Sequence, residues 1–126
     1  MSDATKQPLR IVTVDDHELA RMGLSLAVKN QNHIELVGEA ENGKLAIDLV
    51  AETQPDIVLM DIHMPEMDGL DATREIKYHY PHVKVVIFSS SLDPQEVIAA
   101  LAAGADAYCS KETKITKLLS TLQFVK

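Results

Sequence analysis

The stretch Asp56-Ile57-Val58-Leu59-Met60-Asp61 sets four apolar residues between two carboxylates. An apolar run with no polar alternation predicts a strand buried on both faces. The same reading applies on either side of it. Leu9-Arg10-Ile11-Val12-Thr13-Val14 is apolar and β-branched and stops at Asp15-Asp16, and residues 83–88 form a further run that stops at Ser89-Ser90-Ser91. Ile34 to Ala40 reads as another strand, and Ala107-Tyr108-Cys109-Ser110 as a short last one leading into Lys111.

Helical spacing fills the intervals. Within residues 17–30 the apolar stripe is Leu19, Met22, Gly23 and Leu26; after the Asn42-Gly43 turn it is Ala46, Leu49 and Val50, ending before Pro55. Pro65 and Gly69 bracket a loop, and a helix runs from there to about Tyr80, stopped by Pro81. Asp93 is the expected N-cap of the next helix, with Pro94 first and Glu96 third, as in a capping box; Gly104 ends it after Ala103. Ile115, Leu118, Leu119 and Leu122 mark one face of the last helix. Five strands alternating with five helices predict an α/β fold with a five-stranded parallel sheet covered on both faces through right-handed crossovers.

Composition narrows the function classes. The chain has 126 residues, 46% hydrophobic and 25% charged, which suits one soluble globular domain. Net charge is −7, so the domain itself is not expected to bind nucleic acid. No apolar run approaches the roughly 20 residues of a membrane helix, and no membrane partner is expected. The opening MSDATKQP is polar, unlike a signal peptide, and residues 1–8 read as a short disordered lead to a domain over 9–126. A single cysteine, Cys109, excludes an intrachain disulfide and fits a reducing cytoplasm; its place on a strand reads as a small buried hydrophobe. The histidines show no pairing with a carboxylate at i, i+4 of the kind found in zinc sites, and His17 is expected to face solvent at a helix start.

In parallel α/β sheets ligands bind beyond the carboxyl ends of the strands, where strand order reverses. That rule gathers Asp15, Asp16, Asp61, Ser89 and Lys111 on one rim. Each alone is an ordinary strand-end polar residue. Together they suggest chemistry. Clustered carboxylates repel one another, and a hard divalent cation such as Mg2+ relieves the repulsion through oxygen ligands. Lys111 suits a phosphate as a point charge, and Ser89 can donate a hydrogen bond to a phosphoryl oxygen. A carboxylate can itself accept a phosphoryl group as an aspartyl-phosphate.

These residues carry a resemblance. The acidic pair in VDDHELARMGL, the stretch DIVLMDIHMPEMDG, the hydroxyl in VVIFSSS and the segment GADAYCSK resemble a response-regulator receiver domain of two-component signalling, over nearly the whole chain. The text around Asp15-Asp16-His17 and Gly23-Leu24 is most similar to receivers that precede a LuxR-type helix-turn-helix. The resemblance implies a flavodoxin-like, doubly wound (βα)5 sandwich. It implies that Asp61 is the phosphoacceptor, that Asp15, Asp16, Asp61 and the backbone carbonyl of His63 hold Mg2+, and that Lys111 pairs with the acceptor and its phosphate. It makes Ser89 and Tyr108 the switch residues and Pro65 the shaper of the loop after the acceptor. It also implies a sensor histidine kinase as donor, a homodimer formed on phosphorylation, and turnover of no external substrate. Regulators of that subfamily continue past the last helix into a linker and a small domain. The chain is therefore read as the regulatory part of a transcription factor, with a stand-alone receiver acting by protein contact as the alternative. A more distant alternative is an aspartate-nucleophile phosphatase. Such enzymes place a second aspartate two residues after the nucleophile, where this chain has His63.

Overall fold

The computed structural model describes residues 7–91 and 93–126. Most of the expected lead, residues 1–6, lies outside the described residues; Gln7 and Pro8 run directly into the first strand. The elements follow in the order β1 (Leu9–Val14), α1 (Glu18–Lys29), β2 (Ile34–Ala40), α2 (Gly43–Thr53), β3 (Ile57–Met60), α3 (Gly69–His79), β4 (Lys84–Ser89), α4 (Pro94–Ala102), β5 (Ala107–Ser110) and α5 (Ile115–Val125). The strands pair in parallel in the order β2-β1-β3-β4-β5. The α/β architecture expected from the alternation is the one observed. β4 sits one residue later than its apolar run, which puts Ser89 at its last position.

Successive side chains of a strand point to opposite faces, and here both faces are packed. Val12, Val14, Val58, Met60, Val85 and Ile87 meet Ala46 and Val50 of α2, Ala72 and Ile76 of α3, and Ala100 of α4. Ile11, Ile57, Leu59 and Val86 meet Leu24 and Val28 of α1 and Leu118 and Leu122 of α5. Fully burying a side chain of this size contributes about 2 kcal/mol. This explains why the central strands show no polar alternation.

Helix α1 departs from its sequence reading. Leu19, Met22 and Leu26, three of the four residues of the expected stripe, are 81%, 50% and 62% exposed. The buried residues are Leu24, Ser25 and Val28. Ser25 can be buried because its hydroxyl pairs with that of Thr13 on β1 at 3.3 Å. Apolar spacing alone could not reveal that a serine has a partner across the layer. On α5 the stripe is right at Leu118 and Leu122, whereas Ile115 is 39% exposed. Cys109 is free and buried, as expected. Contrary to expectation, one histidine does face a carboxylate at i, i+4: His79 Nε2 lies 3.3 Å from Glu75 Oε2 on the exposed side of α3.

The order places the reversal between β1 and β3. From β1 the chain crosses outward to β2 and then back past β1 to β3. The carboxyl ends of these two strands carry Asp15 and Asp61. Asp15 N–H donates to Ala40 O, and Asp61 N–H donates to Val14 O, which extends the ladder to the rim.

Candidate functional site

Asp61 follows β3 and is held from several sides. Its Oδ1 accepts from Ile62 N–H at 2.8 Å and its Oδ2 from Lys111 Nζ at 3.2 Å. The start of α3 lies directly against it: Gly69 N–H donates to Ile62 O at 2.7 Å, and a Cβ at position 69 would fall 1.8 Å from Asp61 O. Only glycine permits that approach. Asp68 caps α3 by accepting from Asp71 N–H. Met67 O accepts from Gly43 N–H, which ties the loop after Asp61 to α2.

Lys111, just after β5, reaches across to both other strand ends. Its Nζ donates to Asp15 Oδ2 at 2.6 Å as well as to Asp61. The side chains of Asp15 and Asp61 are only 4% and 7% exposed. Burial pushes the Asp61 carboxyl above its ordinary value; the Lys111 charge opposes this, and the Asp15 charge adds to it. Burial works against the charge on Lys111. The hydrogen bond it donates to Asp15 and the neighbouring Asp61 charge outweigh this and hold its pKa above that of a free lysine.

Asp16 completes the acidic group. One ligand-capable atom from each of Asp15, Asp16, His17 and Asp61 lies within 4.8 Å of the others. Asp16 Oδ1 is buried with no hydrogen-bond partner, although His17 Nδ1 approaches it to 3.2 Å without the geometry of a bond. A buried carboxylate oxygen left without a donor is costly, and a cation would satisfy it. Three carboxylates form an oxygen-rich set that fits Mg2+ better than a softer metal. His17 is 74% exposed, as expected of a residue at the start of α1. Its backbone N–H donates to Asp15 Oδ1 at 2.9 Å.

Ser89 and Tyr108 are both turned to Ser91, the last of the three serines that end the β4 run. Ser89 Oγ accepts from Ser91 N–H at 3.2 Å, and Tyr108 Oη donates to Ser91 O at 2.8 Å. No hydrogen bond joins Ser89 to Asp61 among the described residues. Lys111 N–H donates to Ser89 O, so the ends of β4 and β5 are tied at the site. The His63 side chain points away from a ligand role: its Nε2 lies 2.8 Å from Glu96 Oε2 on α4. Arg21 was missed; its guanidinium donates to Asp15 O at 2.7 Å and fixes the turn that presents the acidic pair. Arg21 reaches from α1 to the turn after β1, a contact that leaves no spacing signal, whereas Glu96 on α4 had one, the capping box.

Comparisons with known proteins agree with this layout. The family model described as response regulator receiver domain matches residues 11–123. Response regulator protein VraR of Staphylococcus aureus is 44% identical over 105 residues, which is 83% of this chain and 50% of that protein. The transcriptional regulatory protein YhcZ of Bacillus subtilis is 43% identical over 115 residues, 91% of this chain and 54% of that protein. The chain thus spans about half the length of the curated relatives it matches. Among solved structures, a LuxR-family DNA-binding response regulator from Staphylococcus aureus superposes with a TM-score of 0.88 at 29% identity, covering 93% of this chain and 98% of that one. A CheY from Borrelia burgdorferi, solved in a CheX-CheY-BeF3-Mg complex, shares the fold with a TM-score of 0.90 at 24% identity, covering 99% of this chain and 94% of that one.

Proposed function

The chain belongs to the response regulator receiver family, and on that premise we propose that Asp61 accepts a phosphoryl group from a sensor histidine kinase in a Mg2+-dependent transfer. The observation that carries this reading is Lys111 Nζ, which bridges Asp15 at 2.6 Å and Asp61 at 3.2 Å beside the unpartnered oxygen of Asp16. Asp15, Asp16, Asp61 and the His63 backbone carbonyl would hold the cation. Bound there, it would neutralise charge on the phosphoryl oxygens and on the carboxylates.

The residues divide the work. An oxygen of Asp61 attacks phosphorus in line. The new bond from Asp61 to phosphorus forms as the phosphorus–nitrogen bond of the donor phosphohistidine breaks, and the imidazole leaves with that electron pair and takes a proton. Ile62 N–H fixes one carboxylate oxygen of Asp61, leaving the carboxylate in a single orientation. Lys111 follows the negative charge from the carboxylate to the phosphoryl group. The phosphoryl oxygens then recruit the hydroxyl of Ser89, whose movement would disturb the bond it accepts from Ser91 N–H. Tyr108, bonded to the same Ser91, responds, and the surface of α4, β5 and α5 changes.

That surface would control homodimer formation or an output domain. Since the relatives include a transcriptional regulatory protein of which the match covers 54%, the output is read as transcription in the cytoplasm, with DNA contacted by a part other than this domain. Residues 9–126 would form the receiver. The phosphatase alternative is disfavoured by position 63, where a histidine turned toward Glu96 stands in place of a general-acid aspartate. The test is incubation with acetyl phosphate and Mg2+, followed by assay of hydroxylamine-labile phosphate. The parent should incorporate it and Asp61→Asn should not. Equal incorporation in both proteins would overturn the assignment.

A further inference from the structure

Helix α1 begins without the usual side-chain cap. His17, its N-cap residue, makes no side-chain cap hydrogen bond. The helix is instead tied back to the end of β1 by Arg21, at its fourth position, whose Nη1 donates to Asp15 O at 2.7 Å. Arg21 Nε lies 3.6 Å from Glu39 Oε1, on the penultimate residue of β2. One guanidinium thus joins α1 to the ends of two strands.

The oxygen that Arg21 holds belongs to the planar peptide joining Asp15 to Asp16. Turning that plane changes ψ of Asp15 and φ of Asp16, and with them the relative directions of the two carboxylates. Asp15 is buried, and its N–H is already fixed by Ala40 O. Among the described residues no backbone N–H donates to Asp15 O. Without Arg21 a buried carbonyl would lose its partner and the plane its anchor. An arginine beside a cation site has a cost, because its charge repels the ion. Glu39 offsets it: paired with a carboxylate, the guanidinium serves as a donor and adds no net charge. A lysine lacks the planar fork that meets both partners at once.

We propose that Arg21 and Glu39 are positioning residues for the divalent cation: Arg21 sets the peptide between Asp15 and Asp16 so that both carboxylates face one ion, and Glu39 aims Arg21 and cancels its charge. The inference rests on the reading of the acidic group as a Mg2+ site. It makes a prediction whose sign is opposite to that of simple charge. Removing a positive charge near the site should tighten Mg2+ binding on electrostatic grounds alone, whereas loss of positioning weakens it.

The experiment is calorimetric titration of Mg2+ into the whole chain after metal removal with EDTA, beside thermal melts of the metal-free protein. Arg21→Met keeps the apolar stem without the donors and should weaken Mg2+ binding about fivefold, the factor that one net hydrogen bond is worth. Glu39→Gln and Glu39→Ala change the charge equally, but only the glutamine keeps an acceptor for Arg21 Nε–H. Glu39→Gln should therefore bind Mg2+ about twice as tightly as Glu39→Ala. If Arg21→Met does not fold, Arg21→Lys takes its place; it keeps the charge but cannot meet both partners, and should weaken binding about twofold. Unchanged or tighter binding in the Arg21 variant overturns the proposal, even if its metal-free melting temperature falls, because that pattern belongs to a purely structural contact. Equal affinities in the two Glu39 variants overturn the part given to Glu39. A parent chain that binds no Mg2+ is a different result: it defeats the reading of the acidic group as a cation site, and the positioning role with it.

Discussion

Asp56 and Asp61 bracket the same strand, yet they live in different physics. Asp56 lies before β3, at the amino end of the sheet, where its Oδ2 accepts from Arg10 N–H at 2.8 Å. It lines an open cavity of about 810 Å³ together with Pro8, His33, His82, Lys84 and Lys126. Asp61 lies after β3, at the carboxyl end, buried between Asp15 and Lys111 and raised in pKa by that burial. This hollow is at the wrong end for the chemistry. Volume measures where water can enter, whereas reactivity follows desolvated charge that the fold leaves partly uncompensated. In a parallel sheet the two ends differ systematically, because the loops that vary in chemistry leave the carboxyl ends.

The contrast can be sharpened by substitutions at the two ends. The largest effect is expected for Asp16→Asn on cation binding. Removing the carboxylate whose oxygen lacks a partner should weaken Mg2+ binding by roughly tenfold or more, by the precedent of charged metal ligands and their supports. Titration calorimetry reads this directly, and unchanged affinity would remove Asp16 from the site.

Lys111→Ala comes next. Nucleophile and cation ligands stay, so phosphate uptake should persist at a reduced rate. The link from phosphate to the α4–β5–α5 surface should be lost, because the ammonium that ties β5 to Asp61 is gone. Occupancy measured beside a sizing experiment separates the two. Phosphate-dependent association at the parent level would refute the coupling role.

Asp61→Asn should stabilise the metal-free protein by about 1 kcal/mol near neutral pH, since it removes a buried charge from a crowded acidic group. The pH dependence has a definite sign. The folded state holds the Asp61 proton more tightly than the unfolded chain, whose carboxyl titrates near 3.8. Stability attributable to that proton is complete below this value and is lost as pH rises through the raised folded pKa. The gain in Asp61→Asn should therefore vanish in acid and grow toward neutrality. Denaturant melts in EDTA at several pH values would show it, and a gain independent of pH would contradict it.

Asp56→Ala should have the smallest effect. It removes one hydrogen bond to Arg10 N–H, worth about 1 kcal/mol, and should leave phosphate uptake unaltered. A large loss of uptake would break the distinction between the two ends of β3.

The parts of the molecule that the sequence made legible are those where one physical requirement dominates. Central strands must be apolar on both faces, so β1, β3 and β4 announce themselves, and the residue at which each run stops is necessarily at the rim. That is why the sequence places Asp15, Asp61 and Ser89 together at the rim, with Lys111 beside them after β5. Helix α1 was misread because two requirements compete there. Its inward face includes Ser25, paired with Thr13, while Leu19, Met22 and Leu26 face solvent. The contacts made by Ser91, Arg21 and Glu96 were illegible for another reason. Ser91 sits in a loop, and Arg21 and Glu96 reach from α1 and α4 to partners in loops, whose path carries no periodicity. Gly69 was visible only as the end of a loop; its necessity appears once α3 is seen pressed against the carbonyl of Asp61.

The most direct test of the difference between the two ends of β3 is to map the modified residue. The protein is phosphorylated with acetyl phosphate and Mg2+, reduced with borohydride, digested and sequenced by mass spectrometry. Reduction converts an acyl phosphate on aspartate to homoserine. Homoserine is expected at position 61 and at no other aspartate. Homoserine at position 15, 16 or 56 with none at 61 would contradict the assignment.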